Sequence, residues 1–297
     1  MAADGINVAD ADGGNQASLV IRRNTTFWYP SWSPRGDFIL FASDLNGPGI
    51  YSMRIDRNSG LVEAPQLIIS LNSVITKAAW SPATTPDGKN KIAYGYFDGS
   101  KYSIYLVDVV VEDTNGTLTL GTPFKLPTYL PGEEFDPSWS PDASKLAVTT
   151  FDASLGSWGI NIFDLTTGVV CGNVPLCEVF GSRRDLIAEL GASPFDQYGA
   201  WGPSWANTGN KIAVNGIPQD GSNGEIWVIE FDDDPQATTI TNLTNTNPAT
   251  TGPNGSPDGN EVNATWSPDD LQIMYQGFDY LCAPQKNEQT RLQLEYP

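Results

Sequence analysis

The chain has 297 residues, with 35 acidic and 16 basic side chains, no histidine and a formal charge of −19. That length buries a sizeable core without a metal or disulfide staple. A 40% hydrophobic, 11% aromatic composition excludes a disordered chain. The excess negative charge repels phosphates and anionic lipid, which excludes nucleic acid as a partner, and no apolar run reaches the ~18 residues of a membrane span.

In chain order, residues 1–16 read as a polar, Gly/Asp-rich extension with neither the basic region nor the apolar core of a signal peptide. Ala17-Ser-Leu-Val-Ile-Arg22 follows as a strand candidate with no sheet of its own. Phe27-Trp28-Tyr29 then leads into Pro30-Ser-Trp-Ser-Pro34-Arg-Gly36, the first of five related segments. The others are Ala79-Trp-Ser-Pro82, Pro137-Ser-Trp-Ser-Pro141-Asp142, Pro203-Ser-Trp205-Ala-Asn-Thr-Gly209 and Ala264-Thr-Trp-Ser-Pro268-Asp269. Their tryptophans, Trp32, Trp80, Trp139, Trp205 and Trp266, are spaced by 48, 59, 66 and 61 residues.

After each tryptophan come a turn and a short β-rich run, such as Lys91-Ile-Ala-Tyr94, Lys145-Leu-Ala-Val148 or Lys211-Ile-Ala-Val214. A Gly/Asp/Asn turn and a second run follow in four copies: Ile50–Met53, Ile104–Val107, Ile160–Phe163 and Ile226–Ile229. Strand-length runs separated by turn residues are the hairpin signal. Proline after Trp-Ser presets φ for the turn, and the Asp or Gly beyond it takes the tight reversal. The tryptophan face fills the gap between neighbouring sheets, since one such sheet cannot bury both of its faces.

This Trp-Ser-Pro-Asp-Gly turn, followed by Lys-Ile-Ala and then Ile-Tyr, resembles the TolB-type, WD40-like repeat, from about Phe27 to about Tyr280. The copies have drifted: the fourth has Ala206-Asn207 in place of Ser-Pro, and the fifth has Asp269-Asp270. The resemblance implies an all-β chain, a β-propeller of four-stranded antiparallel blades in a single domain over 17–297. Five tryptophans favour five blades, with six the competing count, and the 18–23 strand is expected to close the ring by completing the last blade. The stretch 169–198 is an insertion or an unrecognised blade; Arg183–Leu190 within it has the makings of a short helix.

Without histidine there is no Ser-His-Asp triad, no His-ligated zinc and no His-ligated haem. Gly-rich phosphate loops and Cys-x-x-Cys are absent as well. Residues just ahead of each inner strand gather, by analogy between repeats, at one mouth of the channel: Tyr29, Lys77, Glu133, Glu134, Asp136, Tyr198, Trp201, Glu261 and Asn263. They are binding candidates, and two facing carboxylates among them make a carboxylate-dependent glycosidase the alternative. No catalytic residue or metal ligand is assigned and no cofactor is expected, although the acidic runs Asp232–Asp234 and Asp4–Asp12 leave calcium open.

Cys171 and Cys177 close a small loop suited to a local disulfide or stand as two thiols. Asn24, Asn115, Asn242 and Asn263 head Asn-x-Thr sequons. The resemblance implies a propeller that engages a protein partner at one mouth or face, often in the bacterial periplasm or at the cell surface. The resulting expectation is a non-catalytic, extracytoplasmic scaffold module of a larger assembly.

Overall fold

The computed structural model describes residues 3–8, 17–56, 61–72, 77–111, 117–126, 132–166, 184–190, 193–219, 224–232, 234–244, 261–267, 269–277 and 293–295. It divides into two compact units, 1–128 with 135–143 and 129–134 with 144–297. Cys171 and Cys177 lie outside the described residues.

The first unit opens with a hairpin of β1 (Ala3–Val8) and β2 (Ala17–Arg23). The first repeat is a four-stranded meander of β3 (Phe27–Trp32), β4 (Phe38–Ser43), β5 (Gly49–Arg54) and β6 (Gln66–Ser70). In the second repeat, β7 (Ala78–Trp80), β8 (Asn90–Phe97) and β9 (Tyr102–Val111) pair in order, and β10 (Leu118–Leu120) and β11 (Phe124–Lys125) both pair with β9.

The third repeat comprises β12 (Glu133–Trp139), β13 (Lys145–Asp152), β14 (Ser157–Asp164) and the short β15 (Arg184–Asp185), which runs into α1 (Leu186–Glu189). Asp185 caps that helix by accepting from the Ala188 N–H at 3.1 Å. The fourth repeat is β16 (Phe195–Trp205), β17 (Lys211–Pro218), β18 (Glu225–Glu230) and β19 (Thr239–Asn242). The fifth is β20 (Glu261–Trp266), β21 (Gln272–Gly277) and β22 (Gln293–Glu295). Apart from one parallel pair, Trp158 with Gly199, every ladder given by register is antiparallel. At Gly199, φ is 74° and an added Cβ would meet the Trp158 carbonyl at 1.9 Å, so only glycine permits the approach.

Two features differ from the sequence reading. The polar extension contributes a strand, and the described partner of β2 is β1. Ile6 and Val20 of this hairpin are buried with Ile39, Phe41, Tyr51 and Met53 of the first repeat, so its few apolar side chains suffice to anchor it. The short helix forms over 186–189, with Leu186 buried in the core of the second unit.

The repeat grammar has a direct structural reading. The Ser33 hydroxyl donates to Asp37 at 2.8 Å and accepts the Phe38 N–H at 3.0 Å; Ser267 donates to Asp269 at 2.6 Å and accepts the Gln272 N–H at 3.0 Å. Serine after tryptophan therefore ties the turn to the next strand. The tryptophan ties one repeat to the one before it. Within the first unit Trp139 Nε1 donates to the Ala79 carbonyl at 3.0 Å, and within the second Trp266 Nε1 donates to the Ser204 carbonyl at 2.9 Å. Each acceptor immediately precedes the tryptophan of the preceding repeat.

Repeats four and five compensate for each other's departures. Asn207 donates to Asp270 through its backbone N–H at 2.7 Å and its amide at 2.8 Å, and the Thr208 hydroxyl adds a bond of 2.8 Å. The missing Ser-Pro and the extra aspartate are thus two halves of one contact. Trp32 remains 48% exposed, whereas Trp80, Trp139, Trp205 and Trp266 are buried.

Candidate functional site

The inner strands share a distortion three residues ahead of the tryptophan. Tyr29, Asp136, Gly202 and Asn263 have φ of 54°, 50°, 64° and 58°. For three of them the ladder register slips there, between Trp28 and Ser31, Trp201 and Ser204, and Val262 and Thr265. These are bulges. Tyr29 and Asp136 also precede proline, which restricts their backbone further. A left-handed, non-glycine residue costs about 1–3 kcal/mol and persists only where its surroundings hold it.

In the first unit Tyr29 lies within β3, Lys77 immediately ahead of β7 and Asp136 within β12, and the Asp136 charge acts on both Tyr29 and Lys77. All three are half-buried. Burial, and then the Asp136 charge, push the Tyr29 phenol above its ordinary value. Burial pulls the Lys77 ammonium below its ordinary value, with the Asp136 carboxylate acting in the opposite direction. The result is a partly desolvated phenol, amine and carboxylate contributed by three consecutive repeats.

A feature not anticipated from the sequence lies at the same end of these strands. β8 ends and β9 begins beside the start of β7, as the Ala78–Tyr94 and Phe97–Tyr102 pairs show. There Phe97, Tyr102 and Phe135 form a half-buried aromatic row, with ring centroids 5.3 and 4.9 Å apart. Phe97 and Tyr102 belong to a hairpin tip and Phe135 to the next repeat, so no local pattern links them.

The remaining candidates are placed as follows. Glu133 is half-buried on β12, and Glu134 has no exposed surface. In the second unit Trp201 is half-buried and Asn263 exposed. Only the backbone of Tyr198 and Glu261 is described, on β16 and β20. The bulge at Gly202 donates its N–H to the Thr149 hydroxyl at 2.8 Å, and an added Cβ there would meet Asn215 Nδ2 at 2.3 Å.

Of the two acidic runs, the stretch 9–12 lies outside the described residues, and Asp232 and Asp234 cap turns. Asp232 accepts from the Asp234 N–H at 2.7 Å and Asp234 from the Gln236 N–H at 3.0 Å. Among the described residues no group of three or more acidic or cysteine side chains is arranged to hold a metal. No described helix is long and apolar enough to cross a membrane.

No protein-family model matches the chain, and no curated protein matches its sequence. Solved structures do resemble it. TolB from Acinetobacter baumannii is 20% identical with a TM-score of 0.52, the likeness covering 98% of this chain and 59% of that one. The chain therefore spans about three-fifths of that protein's length. The Cps50 (Swd1) β-propeller domain from Myceliophteria thermophila is 13% identical with a TM-score of 0.51, covering 99% and 81%. An oligogalacturonate lyase in complex with manganese is 13% identical with a TM-score of 0.48, covering 95% and 68%. The first two likenesses show the fold: the chain is a β-propeller. They assign no activity to it.

Proposed function

We propose that this chain is a TolB-type, non-catalytic propeller that binds a protein partner, an extracytoplasmic accessory module of a larger assembly. The observation that carries the proposal is the convergence of Tyr29, Lys77 and Asp136 from three repeats, two of them on strained backbone. Strain and partial desolvation lower stability and are kept where a surface has work to do. The likenesses to TolB and to the Swd1 propeller domain support a binding role by analogy alone.

Glu134 and Asp136 are two of the carboxylates available to the glycosidase alternative. Glu134 is fully buried, out of reach of a substrate, and this favours the binding reading.

The test compares the protein with its Tyr29→Ala, Lys77→Ala, Asp136→Ala triple variant, each immobilised as bait in an extract of its source. A protein held stoichiometrically by the first and lost from a folded second supports the proposal. Equal retention on both overturns the assignment of this surface. Hydrolysis of a glycan panel that Asp136→Asn abolishes overturns the non-catalytic reading.

A further inference from the structure

Tyr29 and Lys77 mark one end of β3 and β7. At the far ends of those two strands, still within the first unit, the described residues enclose a cleft of about 700 Å³. One wall is the turn that follows β3 in the first repeat; the other is the second repeat, at the start of β8 and along the end of β9 and β10. The buried Trp80 and Val109 and the half-buried Val111 and Leu120 line its apolar part. Small-molecule sites have volumes of about 300–1,000 Å³, with an apolar lining and a few polar groups that fix the ligand's orientation.

Those polar groups are two ion pairs, Arg35 with Asp37 and Lys89 with Asp108. Both carboxylates are engaged by the chain itself. Asp108 accepts from Lys89 through one oxygen and from the buried Lys91 through the other. Asp37 accepts the Ser33 hydroxyl at 2.8 Å, and Arg35 Nε lies 3.7 Å from its second oxygen. Lys89 is placed differently, with a side chain 54% exposed against 27% for Asp108. An ammonium carries three donors, and its one described bond goes to Asp108. Hydrogen bonding to Asp108, and then its charge, push Lys89 above its ordinary value, so it stays cationic at neutral pH. The group that this cleft turns toward a ligand is therefore a cation, in a chain of net charge −19.

We propose that this cleft binds a small organic carboxylate, its apolar tail against Val111, Leu120 and the edge of Trp80 and its carboxylate accepting from Lys89 Nζ. A charge-assisted bond of this kind is about twice as strong as a neutral one. The site is separate from Tyr29, Lys77 and Asp136, and the proposal does not depend on the binding reading above.

The test uses three probes with the same apolar tail and different heads: octanoate, octanamide and octylamine. Each is titrated into the intact chain at neutral pH by isothermal titration calorimetry. Octanoate is expected to bind at least about ten-fold more tightly than either of the others, the scale of a hydrogen bond to a charged group. Lys89→Gln, a change at an exposed position, should weaken octanoate about ten-fold and leave octanamide unchanged. Leu120→Trp, which fills the cleft, should abolish octanoate binding in a folded chain. Attraction to the overall charge would give the opposite order, with octylamine first.

Octylamine or octanamide binding as tightly as octanoate overturns the proposal, as does an octanoate affinity that Lys89→Gln leaves unchanged. Absence of octanoate binding up to millimolar concentration overturns it as well. Tighter binding of an acetylated Leu-Leu-Glu peptide than of octanoate would assign the cleft to a protein segment and overturn the small-ligand assignment.

Discussion

If the repeated tryptophans latch each repeat to its predecessor, replacing them should cost stability in proportion to that contact. Trp139→Phe keeps an aromatic ring but removes the N–H that donates to the Ala79 carbonyl at 3.0 Å. A buried acceptor deprived of its donor costs about 1–3 kcal/mol. The smaller ring leaves a cavity worth about 1–2 kcal/mol at a site that is 95% buried. The expected loss is therefore about 2–4 kcal/mol, and Trp266→Phe should match it because its bond to Ser204 has the same form. Trp205 donates within its own turn, to Gly209. Trp32 is 48% exposed, and Trp32→Phe should change stability by no more than about 0.5 kcal/mol. Urea titrations followed by circular dichroism, with calorimetry to check cooperativity, give the ranking. A Trp32→Phe cost equal to that of Trp139→Phe would refute the reasoning, because the tryptophan would then act through its bulk alone.

Other consequences are accessible to the same methods. Gly202→Ala forces a Cβ against Asn215 on a backbone at φ 64°, and should destabilise by at least about 2 kcal/mol, read as a lower urea midpoint. A double-mutant cycle of Asn207→Ala with Asp270→Ala should return a coupling of about 0.5–1.5 kcal/mol; additive losses would dissolve the compensating contact between repeats four and five. Burial alone raises the carboxylates of Asp87 and Asp108, but hydrogen bonds outweigh it, those of Lys91 and Thr85 at Asp87 and those of Lys89 and Lys91 at Asp108, and both end below their ordinary value. Folded pKa values below the unfolded 3.8 mean stability that is present above pH ~3.8 and lost as pH falls through the lowered values. Lys91→Met should flatten that acid limb, and an unchanged limb would show that other carboxylates govern it.

The fold was legible because its signal is repeated. Trp-Ser-Pro is uninformative once, yet five related tryptophan segments, four with Trp-Ser-Pro, each followed by a β-rich run, define sheets whose turns the Ser hydroxyls hold at the first and fifth copies. The short helix at 186–189 was legible for a local reason, an aspartate cap ahead of Leu-Ile-Ala-Glu. The strand Ala3–Val8 was not, since Asp, Gly and Asn interrupt its apolar residues and its stability comes from Ile6 packing on a distant repeat. At the site, repeat alignment picked out Tyr29, Lys77 and Asp136 because each occupies the same offset from its tryptophan. It missed Phe97, Tyr102 and Phe135, which meet only when a hairpin tip of one repeat lies beside the first strand of the next. The left-handed backbone at Tyr29 gave no sequence signal either, because tyrosine does not favour it, whereas aspartate, as at Asp136, takes it more readily.

The central claim, that this propeller binds a protein partner, is tested most directly by native mass spectrometry of the protein taken gently from its source. The account predicts a stoichiometric complex that dissociates when Tyr29, Lys77 and Asp136 are replaced by alanine in an otherwise folded chain. A species of the mass of this chain alone, unchanged by those replacements across the concentrations found in its source, would contradict it.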